Sequence, residues 1–134
     1  MNAEAQIQWD RAVRALRAAE LLVEPGPDSA ASRAYYAAFH AVSALFAMTG
    51  QTFTKHSALE AAVHRDLVHA GRWSTALGRD YTFLAELRVT GDYGGAKRVG
   101  RDEARDAVLR ARRILDAVRG GAPGVFIETP DTGN

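Results

Sequence analysis

The sequence predicts an all-α protein folded as an antiparallel, up-and-down bundle of four or five helices. Five segments carry apolar residues at helical spacing, and the connections between them are short and rich in Gly or Pro. No segment shows the alternation of apolar and polar residues that is typical of a strand. With 134 residues, 47% of them hydrophobic, the chain suits one compact domain.

Helix-breaking and capping residues mark the boundaries of the predicted helices. The first ends at Pro25-Gly26-Pro27, and the third begins with a Ser57-x-x-Glu60 capping box. The second is rich in Ala, which allows close approach of neighbouring helices and predicts a central position. The expected ranges are 3–23, 30–48, 57–71, 77–91 and 101–119. We therefore place the bundle in residues 1–119 and a flexible C-terminal tail, without periodicity, in residues 120–134.

Composition excludes several classes of function. The formal net charge is only +1, so any contact with nucleic acid must be local. There is no Cys, which removes disulfides, thiolate nucleophiles and Cys-ligated zinc. The spacing of His56, His64 and His69 does not favour a metal site, and we expect neither a metal nor a cofactor. With no targeting segment and no long apolar run, we expect a cytoplasmic protein that does not enter the membrane.

A polar stripe runs along the otherwise apolar second helix. Arg33 and His40 are seven residues apart, about 20° apart in azimuth, with Tyr36 between them. A desolvated Arg requires a partner, so we expect the stripe to face a carboxylate, a second subunit or a pocket. We predict that Arg33 contacts Asp92 or another buried acid. The alternative is structural: an Arg in a buried ion pair beside a hydrogen-bonded His.

A second polar cluster lies near the predicted end of the fourth helix. Arg88 and Asp92 are four residues apart and can pair if the helix persists. Tyr93 precedes two glycines, so we expect its ring on a mobile turn with an accessible hydroxyl. The structural alternative is that Arg88 and Asp92 only finish the helix, and that Tyr93 is a packing residue.

Taken together, three motifs resemble the HEPN superfamily. They are Ser32-Arg33-Ala34-Tyr35-Tyr36-Ala37-Ala38-Phe39-His40, Lys55-His56-Ser57 and Leu87-Arg88-x-x-Gly91-Asp92-Tyr93-Gly94, in that order. The resemblance covers residues 3–119 and is strongest to the small stand-alone prokaryotic members. These often accompany a minimal nucleotidyltransferase (MNT) in toxin–antitoxin pairs. It implies a HEPN-like helical bundle, a homodimer, and association with RNA or a nucleotide.

The resemblance also indicates which residues a catalytic member of the family would need. Catalytic HEPN proteins are metal-independent ribonucleases with an Arg-x(4–6)-His motif, in which His moves the proton of a ribose 2′-hydroxyl and Arg stabilises charge on the phosphate. Here the motif reads Arg88-x(4)-Tyr93. A phenol, with an ordinary pKa of about 10, is a poor general base.

Two hypotheses follow from this departure. The first is a component of a toxin–antitoxin pair that acts with a nucleotidyltransferase and binds nucleotide or RNA without strong catalysis of its own. The alternative is a metal-independent endoribonuclease toxin with an Arg/His pocket. The candidate catalytic residues are Arg33, His40 and Arg88, and the candidate binding residues are Tyr36, Lys55, His56, Asp92 and Tyr93.

Overall fold

The predicted all-α bundle is confirmed by the structure, a computed structural model that describes residues 3–95, 97–122 and 124–126. In these ranges there are helices and connections but no strand. The helices are α1 (Ala3–Leu22), α2 (Pro27–Ala47), α3 (His56–Ala62), a π-helix (Val63–Val68) that continues α3, α4 (Thr75–Tyr93) and α5 (Arg101–Gly121).

Helix α2 is the centre of the bundle, as its Ala content predicts. It packs against α1, α4 and α5. Its alanines leave almost no surface exposed, and those that are fully buried are Ala30, Ala31, Ala34, Ala37, Ala38, Ala41 and Ala44. Small side chains let three helix backbones approach α2 closely, and the bundle therefore covers the apolar faces of α2 within one chain. A second subunit is not required to explain the composition of this helix.

Three helices start earlier than the sequence predicts: α2 at Pro27, α3 at His56 and α4 at Thr75. The N-cap of α3 is Lys55, and no side chain caps this end, so the predicted Ser57 capping box is wrong. Helix α4 begins at Thr75, where the Ser74 hydroxyl accepts a hydrogen bond of 3.2 Å from the Leu77 amide. That bond satisfies one of the free amides of the first turn, which is why the helix starts before its first apolar residue.

Gly91 lies inside α4 and does not end it as predicted. A Cβ atom at this position would lie 2.7 Å from the backbone oxygen of Asp28, in the first turn of α2. The absence of a side chain thus allows α4 to lie directly against α2. The Asp28 carboxylate also accepts a 2.9 Å hydrogen bond from the amide of Val99, which fixes the connection between α4 and α5.

The folded part of the chain extends beyond the predicted boundary at residue 119. Helix α5 continues to Gly121, and Phe126 is 2% exposed, with its ring stacked on Trp9 at a centroid distance of 5.0 Å. This contact covers Trp9 at the core of α1. The rest of the predicted tail, residues 127–134, lies outside the described residues. Among the helices described, none is long and apolar enough to cross a membrane.

Replacing Gly91 with Ala should destabilise the protein by about 1–3 kcal/mol, because the new methyl group would force α4 away from the backbone of α2. The matched control is Gly120→Ala near the end of α5, where an added Cβ meets no other atom. That variant should be unchanged or up to about 1 kcal/mol more stable, since Ala favours helix over Gly. Urea denaturation measures both, and equal effects of the two changes would contradict the close approach.

Candidate functional site

Three side chains from three helices meet where α2, α3 and α4 come together. The hydroxyl of Tyr35, which is 1% exposed, lies 2.6 Å from Nδ1 of His56 at the start of α3. The guanidinium carbon of Arg88, on α4, lies 5.1 Å from the centroid of the Tyr35 ring, within the range of a cation–π contact. The structure thus brings together a cation, an imidazole and a phenol that are far apart in sequence.

Arg88 is only partly satisfied by the protein. Its side chain is 16% exposed, and Nη1 donates a hydrogen bond of 3.4 Å to the Asp92 carboxylate. Its Nε is buried and has no hydrogen-bond partner in the described part of the chain. Burial acts to lower the pKa of Arg88, but the neighbouring Tyr36, Tyr35, Tyr93 and Asp92 raise it overall. The Arg88 guanidinium is therefore positively charged and fixed by its neighbours, and its buried Nε–H donor has no acceptor among the described residues.

The imidazole of His56 and the phenol of Tyr35, both beside Arg88, are neutral near pH 7. Burial, and then the charge of Arg88, lower the pKa of His56. Burial raises the pKa of Tyr35 to about 12. An uncharged imidazole is the form that can accept a proton, so His56 has the protonation state required of a general base.

A row of aromatic rings separates this cluster from the other half of the predicted site. The His56 ring lies 4.8 Å from Phe39 and 5.7 Å from Tyr36, centroid to centroid. Tyr36 continues the row to His40, at 6.1 Å. Of the three proposed catalytic residues, Arg88 therefore lies at one end of the row, and Arg33 and His40 lie at the other.

The predicted contact of Arg33 with Asp92 or another buried acid is wrong. Arg33 is exposed and forms no ion pair with the described residues. Its guanidinium lies 5.1 Å from the centroid of the Tyr36 ring, whereas Asp92 is bonded to Arg88. An exposed guanidinium remains hydrated, and so it does not need a carboxylate to offset desolvation.

His40 is half-buried between α1 and α2. Its Nδ1 lies 2.7 Å from Oε1 of Gln8 on α1. Burial, followed by the charges of Arg11 and Arg33, lowers the pKa of His40 to about 4. His40 is therefore neutral at neutral pH, and the two arginines make its surroundings positive.

The remaining candidates lie near the ends of helices. Lys55 is exposed at the N-cap of α3, where it makes no side-chain capping bond. Tyr93 is the last residue of α4 and is 73% exposed, which confirms the predicted accessibility, although it lies on a helix end and not on a turn. Sequence reasoning missed Tyr35 and Gln8, because each looked like an ordinary helix residue until its long-range partner was known.

No group of three His, Asp or Glu side chains in the described ranges is placed to hold a metal ion. The candidate His64 instead hydrogen-bonds the Thr82 hydroxyl at 3.1 Å and lies 4.0 Å from Glu60. The site is thus composed of arginine, histidine and tyrosine side chains.

Comparison with known proteins agrees with the three sequence motifs. The family model of the HEPN domain matches residues 5–121. The chain belongs to the HEPN family. It is 40% identical over 90 residues to a UPF0332 protein from Thermotoga maritima, covering 67% of this chain and 68% of that protein. A UPF0332 protein from Gloeobacter violaceus is 30% identical over 117 residues, covering 86% and 93%.

A solved structure supports the fold. The crystal structure of TT1696 from Thermus thermophilus superposes with a TM-score of 0.75, covering 89% of this chain and 98% of that one, at 24% identity. Within this HEPN fold, the position expected for the motif histidine is held by the exposed Tyr93. The imidazole that the structure brings towards Arg88 comes instead from His56, on α3.

The depressed pKa of His40 should make the protein less stable in mild acid. Between pH 6.5 and about 4 the unfolded chain binds a proton that the folded protein does not, so the free energy of unfolding falls as the pH falls through this range. The variant His40→Asn lacks the titrating group and retains a donor for Gln8. It should lose roughly 1–2 kcal/mol less than the wild type between pH 7 and pH 4.5, a figure reduced for the partial exposure of the ring.

Urea titrations at the two pH values measure this difference. The control is His69→Asn, at an exposed position after the π-helix, which should follow the wild type. If His40→Asn and the wild type lost equal stability, the neutral, half-buried imidazole would be contradicted.

Proposed function

We propose that this HEPN protein is a cytoplasmic component of a toxin–antitoxin pair that acts with a nucleotidyltransferase and binds nucleotide or RNA without strong catalysis of its own. The observation that carries the proposal is Tyr93, exposed at the end of α4 beside the partly unsatisfied Arg88. The Tyr occupies the position at which catalytic relatives are expected to carry His. A phenol there is better suited to being modified than to removing a proton.

The proposed modification is transfer of a nucleotidyl group to Tyr93. The hydroxyl oxygen would attack the α-phosphorus of a nucleoside triphosphate, with loss of pyrophosphate and of the phenolic proton to the partner enzyme or to water. The product is an anionic phosphodiester close to the positive charge of the Arg88 guanidinium. The product would therefore gain a favourable charge–charge contact that the unmodified phenol lacks.

The other tyrosines are poorer acceptors. The chain has four tyrosines, and Tyr35 and Tyr81 are at most 1% exposed. Burial raises the pKa of both hydroxyls, which makes them harder to deprotonate as well as inaccessible. Tyr36 is half-buried under Arg33. Accessibility alone thus singles out Tyr93.

We also propose a homodimer, on the resemblance to other HEPN proteins. The apolar composition of α2 does not require a dimer, since α1, α4 and α5 cover that helix. Light scattering tests the proposal directly: a dimer gives twice the 14.5 kDa mass of the chain, and a mass of one chain at tens of micromolar rejects it.

Incubation of the full chain with the cognate nucleotidyltransferase, magnesium and a nucleoside triphosphate should add the mass of one or more nucleotidyl groups, mapped by peptide mass spectrometry to Tyr93. Tyr93→Phe should abolish the label, because it removes the accepting oxygen and keeps the ring. Tyr36→Phe is the matched control and should label like the wild type. A label on another residue, or one that persists in Tyr93→Phe, rejects the assignment.

The alternative function, a metal-independent endoribonuclease, is favoured by one observation. Neutral His56 lies beside Arg88, so a proton acceptor and a cation for the phosphate are present together. If this pair cleaves RNA, purified protein should degrade RNA in excess chelator, and Arg88→Ala or His56→Asn should lower the rate at least about 100-fold. His69→Asn should not. Absence of cleavage by the wild type rejects the alternative and leaves the labelling of Tyr93 untouched.

A further inference from the structure

A groove between α1 and α2 collects positive charge away from the Arg88 cluster. It has a volume of about 230 Å³ and is lined on one side by α1 and on the other by α2. The small side chains of Ala15 and Ala18 leave the space open, and guanidinium groups surround it. The lining residues are Arg11, Arg14, Ala15, Ala18, Arg33 and His40.

The three arginines of the groove have no acidic partners among the described residues. Arg11, Arg14 and Arg33 are all exposed, and none forms an ion pair there. On α5 the situation is the opposite. Arg105 and Arg112 lie 2.6 Å from Glu24 and Glu20, respectively, which neutralise them. The nearly neutral chain therefore keeps a local concentration of uncompensated positive charge at one groove.

The histidine of the groove is held in one tautomer. The Gln8 amide is oriented by its Nε2, which donates a 2.9 Å hydrogen bond to the Glu4 carboxylate. Gln8 Oε1 therefore faces His40 and can only accept, so the proton of the neutral imidazole is on Nδ1. The other ring nitrogen, Nε2, is then an unprotonated acceptor on a residue that lines the groove. The lowered pKa of His40, about 4, keeps it so at neutral pH.

We propose that this groove binds the backbone of single-stranded RNA, with Arg11, Arg14 and Arg33 on successive phosphates and His40 accepting from a ribose 2′-hydroxyl. The arginines come from both helices, Arg11 and Arg14 from α1 and Arg33 from α2. Arg33 and His40 alone are separated by about 10 Å along α2. This arrangement suits a strand better than a single phosphate.

The acceptor at His40 favours RNA over an acidic protein. A carboxylate offers no proton to Nε2, whereas a 2′-hydroxyl does. The inference rests on the RNA branch of the proposed function and assigns that binding to a site distinct from Tyr93.

Fluorescence anisotropy with a labelled 12-nucleotide oligouridylate and the full chain tests the groove. Arg11→Ala/Arg33→Ala removes two exposed, unpaired charges. The control Arg72→Ala/Arg79→Ala removes two exposed, unpaired charges elsewhere on the surface. The groove variant should bind about 25-fold more weakly at 0.1 M salt, with a salt slope smaller by about 1.4, as expected for two lost phosphate contacts. The control should bind almost like the wild type.

A second arm tests the histidine. The wild type should prefer oligouridylate to the deoxy oligomer of the same sequence, and His40→Asn, which keeps a donor for Gln8 but lacks the Nε2 acceptor, should lose that preference. Circular dichroism confirms that the variants are folded.

The assignment is overturned if the wild type does not bind, if the groove and control variants lose affinity equally, or if only Arg88→Ala loses affinity. Binding of an oligoglutamate peptide in place of RNA would also overturn it, in favour of a protein partner. Labelling of Tyr93 by the partner enzyme is unaffected in each case, so the two proposals fail separately.

Discussion

The close packing of α1, α4 and α5 around the alanines of α2 is the constraint on which the rest of the molecule depends. These alanines have almost no exposed surface, because the three neighbouring helices pack directly against them. Larger residues of α2 then have only a few directions open to them. Tyr35 extends towards α3 and α4, whereas Arg33 and His40 lie at the edge facing α1. One tightly packed helix thus supplies residues to two different surfaces.

Gly91 allows an equally close contact between α4 and the first turn of α2. Gly91 lets α4 pass the backbone of Asp28, and the side chain of Asp28 in turn holds the connection to α5. Arg88 and Tyr93 flank this contact, so their positions relative to α2 are set by backbone packing and not by a flexible loop. The helix end thus holds the exposed Tyr93 side chain close to Arg88.

The arginines divide into two kinds according to their partners. Arginines of α5 pair with acidic residues of the neighbouring segments: Glu20 of α1, Glu24 of the connection between α1 and α2, and Asp80 of α4. Arg88 is largely buried with a free Nε, and the arginines of the α1–α2 groove are exposed without acids nearby. Net charge conceals this difference, since the total is only +1. Affinity for anions depends on which arginines lack partners, and not on how many arginines the chain contains.

The sequence by itself determined the helical class, the order of the helices and the central place of α2, because apolar periodicity, glycine and proline are local signals. It also identified Arg33, His40, Arg88 and Tyr93 as unusual residues. Only the tertiary structure decided their partners. Nothing local pairs Tyr35 with His56 or Gln8 with His40, since these contacts join residues 21 and 32 positions apart. The expected Arg33–Asp92 pair was wrong for the same reason: a helical wheel gives the direction of a side chain, whereas its exposure and its neighbours depend on how the other helices pack against it.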